Sequence, residues 1–319
     1  MTITTRHSMA KRNIKLIEYE KIKEFLDAVD HRVVFEKTNI VPDERDLHDL
    51  LRRYVGFSEI GRKSVLGIDI FKYSSFGSLE QALIPFLFKT IFRMTVKLCF
   101  TNHPFLFQKY TEEEIESTFI STGDGGYLIF DTPLHSLVFA MNFAVILRTY
   151  NAFHIYPKLR KIIGGMSMRY AITWDKIYYF DKNYYGRAII NCARILMKDS
   201  LNRCLIDEYA HTWFTTNIEG VENLQIITIQ DISNIYDFRD YDLTMLNNHP
   251  DEIFQEQSTR RYGIINADIL KIGKIVYKET ELSVYNLHLQ VTLNLTNDDD
   301  PTQIKTFTIS LGNLNTSGI

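Results

Sequence analysis

Val65-Leu66-Gly67-Ile68-Asp69-Ile70-Phe71 and Phe119-Ile120-Ser121-Thr122-Gly123-Asp124-Gly125-Gly126-Tyr127-Leu128-Ile129-Phe130 are the two stretches that decide how this chain reads. The first is an apolar run of strand length that closes on an acid. The second places a Gly-Asp-Gly-Gly turn between two apolar arms, the pattern of a β-hairpin. Residues between them, about 78–100, carry the period of a long helix. Two carboxylates at the ends of buried strands supply the oxygen donors that hard divalent cations prefer. Paired cations of that kind neutralise a polyphosphate during phosphoryl transfer. Asp69 and Asp124 are therefore the candidate metal ligands.

Outward from these stretches, a helix is expected over about 133–150, with Pro133 in its first turn. A strand follows from Met166 to Trp174, a turn at Trp174-Asp175-Lys176, and another strand from Ile177 to Phe180. Residues from Tyr185 or Gly186 to Lys198 read as a helix and Leu224 to Ile229 as a late strand. The order β-α-β-β-α-β is that of a ferredoxin-like split unit, an α+β fold. Residues 1–58 read as a charged helical segment without a motif, with Pro42-Asp43-Glu44 as a helix start. Residues 59–232 form the mixed domain. Residues 233–319 read as a linker and a small β-rich module, because Ile264 to Ile319 alternates apolar and polar positions.

Composition narrows the function classes. The 319 residues carry a net charge of −3, with 45% hydrophobic and 13% aromatic content. The balance gives no basic excess of the sort that nucleic acid or a membrane surface demands. The longest apolar run, Leu137 to Leu147, is interrupted by Asn142 and is too short to span a bilayer. Met1 to Lys15 has no apolar signal core. The three cysteines, Cys99, Cys192 and Cys204, form no CxxC pair. A reduced, cytoplasmic setting is expected.

Three stretches together resemble the class III nucleotidyl cyclases: the strand ending Gly67-Ile68-Asp69-Ile70-Phe71, the Gly123-Asp124 hairpin, and Tyr184-Tyr185-Gly186-Arg187-Ala188-Ile189-Ile190-Asn191-Cys192-Ala193-Arg194. The resemblance covers roughly residues 60–232. It implies two ions, Mn²⁺ or Mg²⁺, held by Asp69, Asp124 and the Ile70 carbonyl. It implies phosphate contacts from backbone amides between Phe71 and Ser74, at a helix start. It also implies that Arg194 offsets charge at the α-phosphoryl group. In the family one subunit supplies the acids and the other the base readers and the arginine, so a homodimer is implied.

The departures bear on substrate. At the two positions where the family reads a purine, this chain has Ile120 and Asn183. An apolar residue cannot pair with a purine edge, and an unpaired buried polar edge costs about 1–3 kcal/mol. Asn183 presents both a donor and an acceptor, and Tyr184 and Tyr185 narrow the space for a base. The chain thus looks like the pyrimidine-specific branch, the bacterial Pycsar cyclases. The expected substrate is UTP, then CTP, and the cyclic product is read by a separate effector in antiphage defence. The family's catalytic Asn falls at Ile190, with Asn191 one residue later. Either the helix carries an irregularity or Asn191 has another role. No counterpart of the family's phosphate-binding Lys is evident in the late hairpin. A degenerate nucleotide sensor or scaffold and a purine cyclase are the alternatives.

Other motifs have plainer readings. Gly56 to Ser64 approaches a P-loop, but Arg62 separates Gly61 from Lys63 and a strand follows. The nine histidines show no zinc spacing. Glu112-Glu113-Glu114 reads as a helix start capped by Thr111, and Asp298 to Asp300 as a loop.

Overall fold

The computed structural model describes residues 19–33, 48–49, 51, 61–180, 182–225, 231–232, 235, 262–277, 280–296 and 304–319. The expected boundaries near 58 and 233, the helix start at Pro42 and the loop at Asp298 lie outside them. The described elements, in chain order, are α1 (Tyr19–Val33), β1 (Arg62–Ile70), α2 (Ser78–Asn102), α3 (Pro104–Phe107), α4 (Glu112–Ser117), β2 (Ile120–Ser121) and β3 (Gly125–Phe130). These are followed by α5 (Pro133–Asn151), α6 (Pro157–Ile163), β4 (Met168–Phe180), β5 (Asn183–Gly186), α7 (Arg187–Lys198), β6 (Cys204–Asp207) and α8 (Glu208–Ile218). Three long strands close the chain: β7 (Tyr262–Tyr277), β8 (Thr280–Thr296) and β9 (Ile304–Leu311). The fold is α+β.

The chain divides into two compact units. The first joins residues up to Arg62 with Lys176–Arg187. In it, the outer half of β4 pairs with β5 in a hairpin running from Ile177↔Gly186 to Phe180↔Asn183. Tyr19 of α1 packs at a tilt against Phe180, ring centroids 4.7 Å apart. The second unit holds the main sheet, in the order β2-β3-β1-β4-β6-β8-β7, with β9 on β8. The C-terminal alternation thus forms strands, and β8 pairs antiparallel with β6, so they continue this sheet.

Helix α5 is apolar on every side and nearly all of it is buried, as such a helix must be. Thr132 caps it, accepting from the His135 amide. Helix α2 packs beside it through Phe88, Phe92, Phe139 and Phe143. Pro85 interrupts the hydrogen bonding of α2 because it has no amide hydrogen. The Gln81 carbonyl, its would-be acceptor, takes the Tyr73 hydroxyl instead, at 3.3 Å. That bond ties the loop after β1 to the helix. The acidic run of α4 starts with a full capping box between Thr111 and Glu114.

Two expectations are corrected. Residues 174–176 are not a turn, since β4 runs unbroken through them. The chain reverses instead after Phe180, where Lys182 takes the left-handed conformation (φ 60°) of a tight hairpin. Leu224 lies in a 3-10 turn, Val221–Gln225, not in a strand, and residues 226–230 lie outside the description. Strand β6 was not anticipated. Four residues are too few to show a period, and its extended form comes from pairing with β4 and β8.

Candidate active site

Strand β1 is buried on both faces beyond its first residue, as expected for a central strand flanked on both edges. It pairs antiparallel with β3 from Ser64↔Phe130 to Asp69↔Gly125. The Ile70 amide continues the ladder, donating to the Asp124 carbonyl at 3.0 Å. This register places the two acids on adjoining strand ends. It also requires glycine at 125, where a Cβ would lie 2.1 Å from the Ile68 carbonyl oxygen. At Gly67 a Cβ would meet Cys192 Sγ and Leu196 of α7, each at 2.6 Å. Glycine there lets α7 lie directly over β1.

A cleft of about 180 Å³ collects the result. Asp69, Thr122, Asp124, Tyr127 and Arg169 line it together with Ala193, Leu196 and Met197 of α7. Asp69 is 8% exposed. Burial raises its pKa above the ordinary carboxylate value, Arg169 works in the opposite direction, and Asp124 adds to the rise. Tyr127 is pushed up to about 12, first by burial and then by Cys192, Asp69 and Asp124. The Thr122 hydroxyl donates to Asp124 Oδ1 at 3.3 Å.

Arg169 is the residue that sequence reasoning missed. Its Nε donates to Asp69 Oδ2 at 2.7 Å, Nη2 reaches the same oxygen, and Nη1 donates to the Asp199 carbonyl at 2.6 Å. One signal was available: Arg169 is a charge between the apolar Met168 and Tyr170, inside the expected strand Met166 to Trp174, and a charge drawn toward a core needs a partner.

The other expected residues fall as follows. The Phe71 amide donates to the Ser167 carbonyl at 2.9 Å, so it is committed to the fold. Lys72 sits in the left-handed region (φ 58°), a conformation that strains a non-glycine residue. It leads a 3-10 turn, Tyr73–Ser75, on which Ser74 is exposed. Ile120 pairs with Tyr127 and is half-buried. Asn183, in the first unit, is exposed, and its Oδ1 accepts from the Tyr184 amide at 2.8 Å. Tyr184 packs on Tyr179 at 4.9 Å, and burial, then Tyr179, raises its pKa to about 12. Helix α7 is an unbroken α-helix. Asn191 is on its buried stripe with Ala188, Cys192, Ile195 and Leu196, whereas Ile190 is 51% exposed. Arg194 does not line the cleft. Its guanidinium lies 4.4 Å from the Tyr277 ring centroid, a cation–π contact.

Two carboxylates of this kind fit a hard divalent cation. A positive group is already drawn to Asp69, and all the donors are oxygens. Among the described residues no group of three or more His, Cys, Asp or Glu side chains is gathered to hold a metal. Also among the described residues, no helix is long and apolar enough to cross a membrane.

No protein-family model matches the chain, and no curated protein matches it. Solved structures do. An adenylate/guanylate cyclase/hydrolase from Silicibacter pomeroyi is similar over 71% of this chain and 95% of its own, at 13% identity and a TM-score of 0.36. An adenylate cyclase from Trypanosoma brucei, in its monomeric state, is similar over 78% and 94%, at 12% identity and a TM-score of 0.38. The adenylyl cyclase CyaB from P. aeruginosa is similar over 71% and 93%, at 9% identity and a TM-score of 0.38.

Proposed function

We propose that this chain is a metal-dependent nucleotidyl cyclase that converts a pyrimidine nucleoside triphosphate, UTP before CTP, to its 3′,5′-cyclic monophosphate and pyrophosphate. The observation that carries the reading is the meeting of Asp69 and Asp124 in one cleft, the first at the end of β1 and the second in the turn before β3, its carbonyl held by the Ile70 amide. Two carboxylates would leave part of a cation's coordination to substrate phosphate oxygens, which commonly share in binding Mg²⁺. When bound, the two cations lower the pKa of the attacking 3′-hydroxyl and neutralise the triphosphate.

The chain's own residues do the rest. Asp69 and Asp124, with the Ile70 carbonyl, hold the cations. Main-chain amides of Lys72 to Ser74 face the phosphates, the Phe71 amide being engaged elsewhere. Arg194 lies outside the cleft of its own chain, which suits presentation to the site of a second copy in a homodimer. Ile120 offers a purine no hydrogen bond. Asn183 Oδ1 accepts from the Tyr184 amide and keeps a second lone pair, so the side chain still offers a base both a donor and an acceptor. The resemblance to the Pycsar branch supports a second-messenger role in antiphage defence.

The test is purified protein with Mn²⁺ and each of ATP, GTP, CTP and UTP in turn, with products identified by mass spectrometry. Cyclic UMP is expected, and it disappears in folded Asp69→Ala and Asp124→Ala. A purine product overturns the base assignment; full activity in either variant overturns the metal assignment. Mixed Asp69→Ala and Arg194→Ala chains are expected to regain activity through one hybrid site. The burial of Asn191 favours a second reading, nucleotide binding without turnover. UTP binding with no product from any nucleotide would select it.

A further inference from the structure

We infer that Arg169 is a positioning residue that acts as an internal counter-cation. It holds Asp69 in the absence of metal and competes with the divalent ion for that carboxylate. The inference rests on the metal reading proposed above.

Arg169 is not a surface arginine that happens to touch an acid. Its fork divides between two acceptors: Nε and Nη2 go to Asp69, and Nη1 goes to the Asp199 carbonyl at 2.6 Å. Asp199 is itself fixed. Its Oδ1 accepts from Arg203 Nε at 2.8 Å and lies 2.7 Å from Nη2, and both side chains are almost wholly buried. Arg203 Nη1 in turn donates to the Ser317 carbonyl at 2.8 Å and the Asn315 carbonyl at 3.3 Å. Asn286 secures the same segment, donating to the Asn313 and Asn315 carbonyls at 3.1 and 3.0 Å. A continuous chain of hydrogen bonds therefore runs from residues 313–317 through Arg203, Asp199 and Arg169 to Asp69.

The consequence is chemical. A carboxylate buried beside a second carboxylate needs a positive partner, and either Arg169 or a divalent ion can serve. Both are drawn to the Asp69 carboxylate, whose Oδ2 the guanidinium holds, so a bound ion would compete with that contact. The Asp199 carbonyl gives the displaced guanidinium an acceptor that remains in place. Arg169 therefore lowers apparent metal affinity while it protects the empty site from a buried, unpartnered charge.

The experiment is Mn²⁺ titration without nucleotide, followed by electron paramagnetic resonance of the free ion, alongside thermal melts with and without Mn²⁺. Wild type, Arg169→Met and Arg169→Lys are compared. Arg169→Met is expected to bind Mn²⁺ about tenfold more tightly, the scale of one partly buried ion-pair competitor. Its metal-free Tm is expected to fall and to recover in Mn²⁺ by more than the wild-type shift. Arg169→Lys, which keeps the charge but loses the fork, is expected to lie between them, and it serves alone if Arg169→Met does not fold. Unchanged or weaker Mn²⁺ binding in the variants, with wild type binding normally, overturns the inference and leaves the metal site standing. A fall in Tm that Mn²⁺ does not restore shows a purely structural ion pair and also overturns it. Absence of Mn²⁺ binding in wild type and variants alike overturns both readings.

Discussion

Replacing Gly125 with alanine tests the link between strand register and the site. The added Cβ would stand 2.1 Å from the Ile68 carbonyl oxygen and 2.9 Å from Asp69 Cα, and ordinary contact begins near 3.4 Å. Both obstacles are backbone, so no side chain can swing aside. Strands β1 and β3 must part locally by about 1.3 Å to restore ordinary contact. Forced overpacking of this sort costs about 1–3 kcal/mol, and each weakened ladder bond adds about 1 kcal/mol. A total of about 2–4 kcal/mol is a large share of the stability of a typical domain. The same displacement carries Asp124 away from Asp69, and metal sites tolerate errors of only about 0.2 Å. Urea unfolding should show the lower midpoint, and Mn²⁺ titration of the folded fraction should show at least a tenfold loss of affinity. Gly123→Ala is the control. Its Cβ meets nothing within 4 Å, but glycine there has φ +98°, so the cost is conformational strain without pressure on β1. Wild-type stability and Mn²⁺ affinity in Gly125→Ala would refute the reasoning.

Asp207 caps α8 through the Ala210 amide at 2.8 Å. Burial, opposed by backbone hydrogen bonds, raises its pKa from 3.8 to about 8. The folded state then binds the proton more tightly than the unfolded state, so stability is greatest below the unfolded value and declines as pH rises through about 8. Asp207→Asn keeps a capping oxygen and removes the titration. Its urea midpoint should gain on wild type from pH 5 to about 8 and level off above that, and parallel curves would refute the assignment. Cys99, Cys192 and Cys204 are buried, and burial pushes all three thiols up. Iodoacetamide should label none of them in native protein and all of them in urea; rapid native labelling at any one would contradict the burial.

The segments whose period is written into contiguous residues were legible without coordinates. The apolar run of β1, the Gly-Asp-Gly-Gly hairpin, the largely apolar α5 and the alternating C-terminal strands each show their type within one window, because side-chain direction repeats locally. The buried place of Asn191 was not read from the sequence, although Ala188, Cys192 and Ile195 mark that face of α7. The Asp175-Lys176 pair misled, because strand continuity overrode residues that favour a turn. Only the tertiary structure decided what depends on which strands are neighbours. Arg169 reaches Asp69 across 100 residues because β4 lies beside β1. Strand β6 exists through its pairing with β4 and β8, and through β8 the C-terminal strands become part of the sheet that carries the acids. Residue type announces a carboxylate, but its charge partner is set by long-range register, which no local pattern encodes.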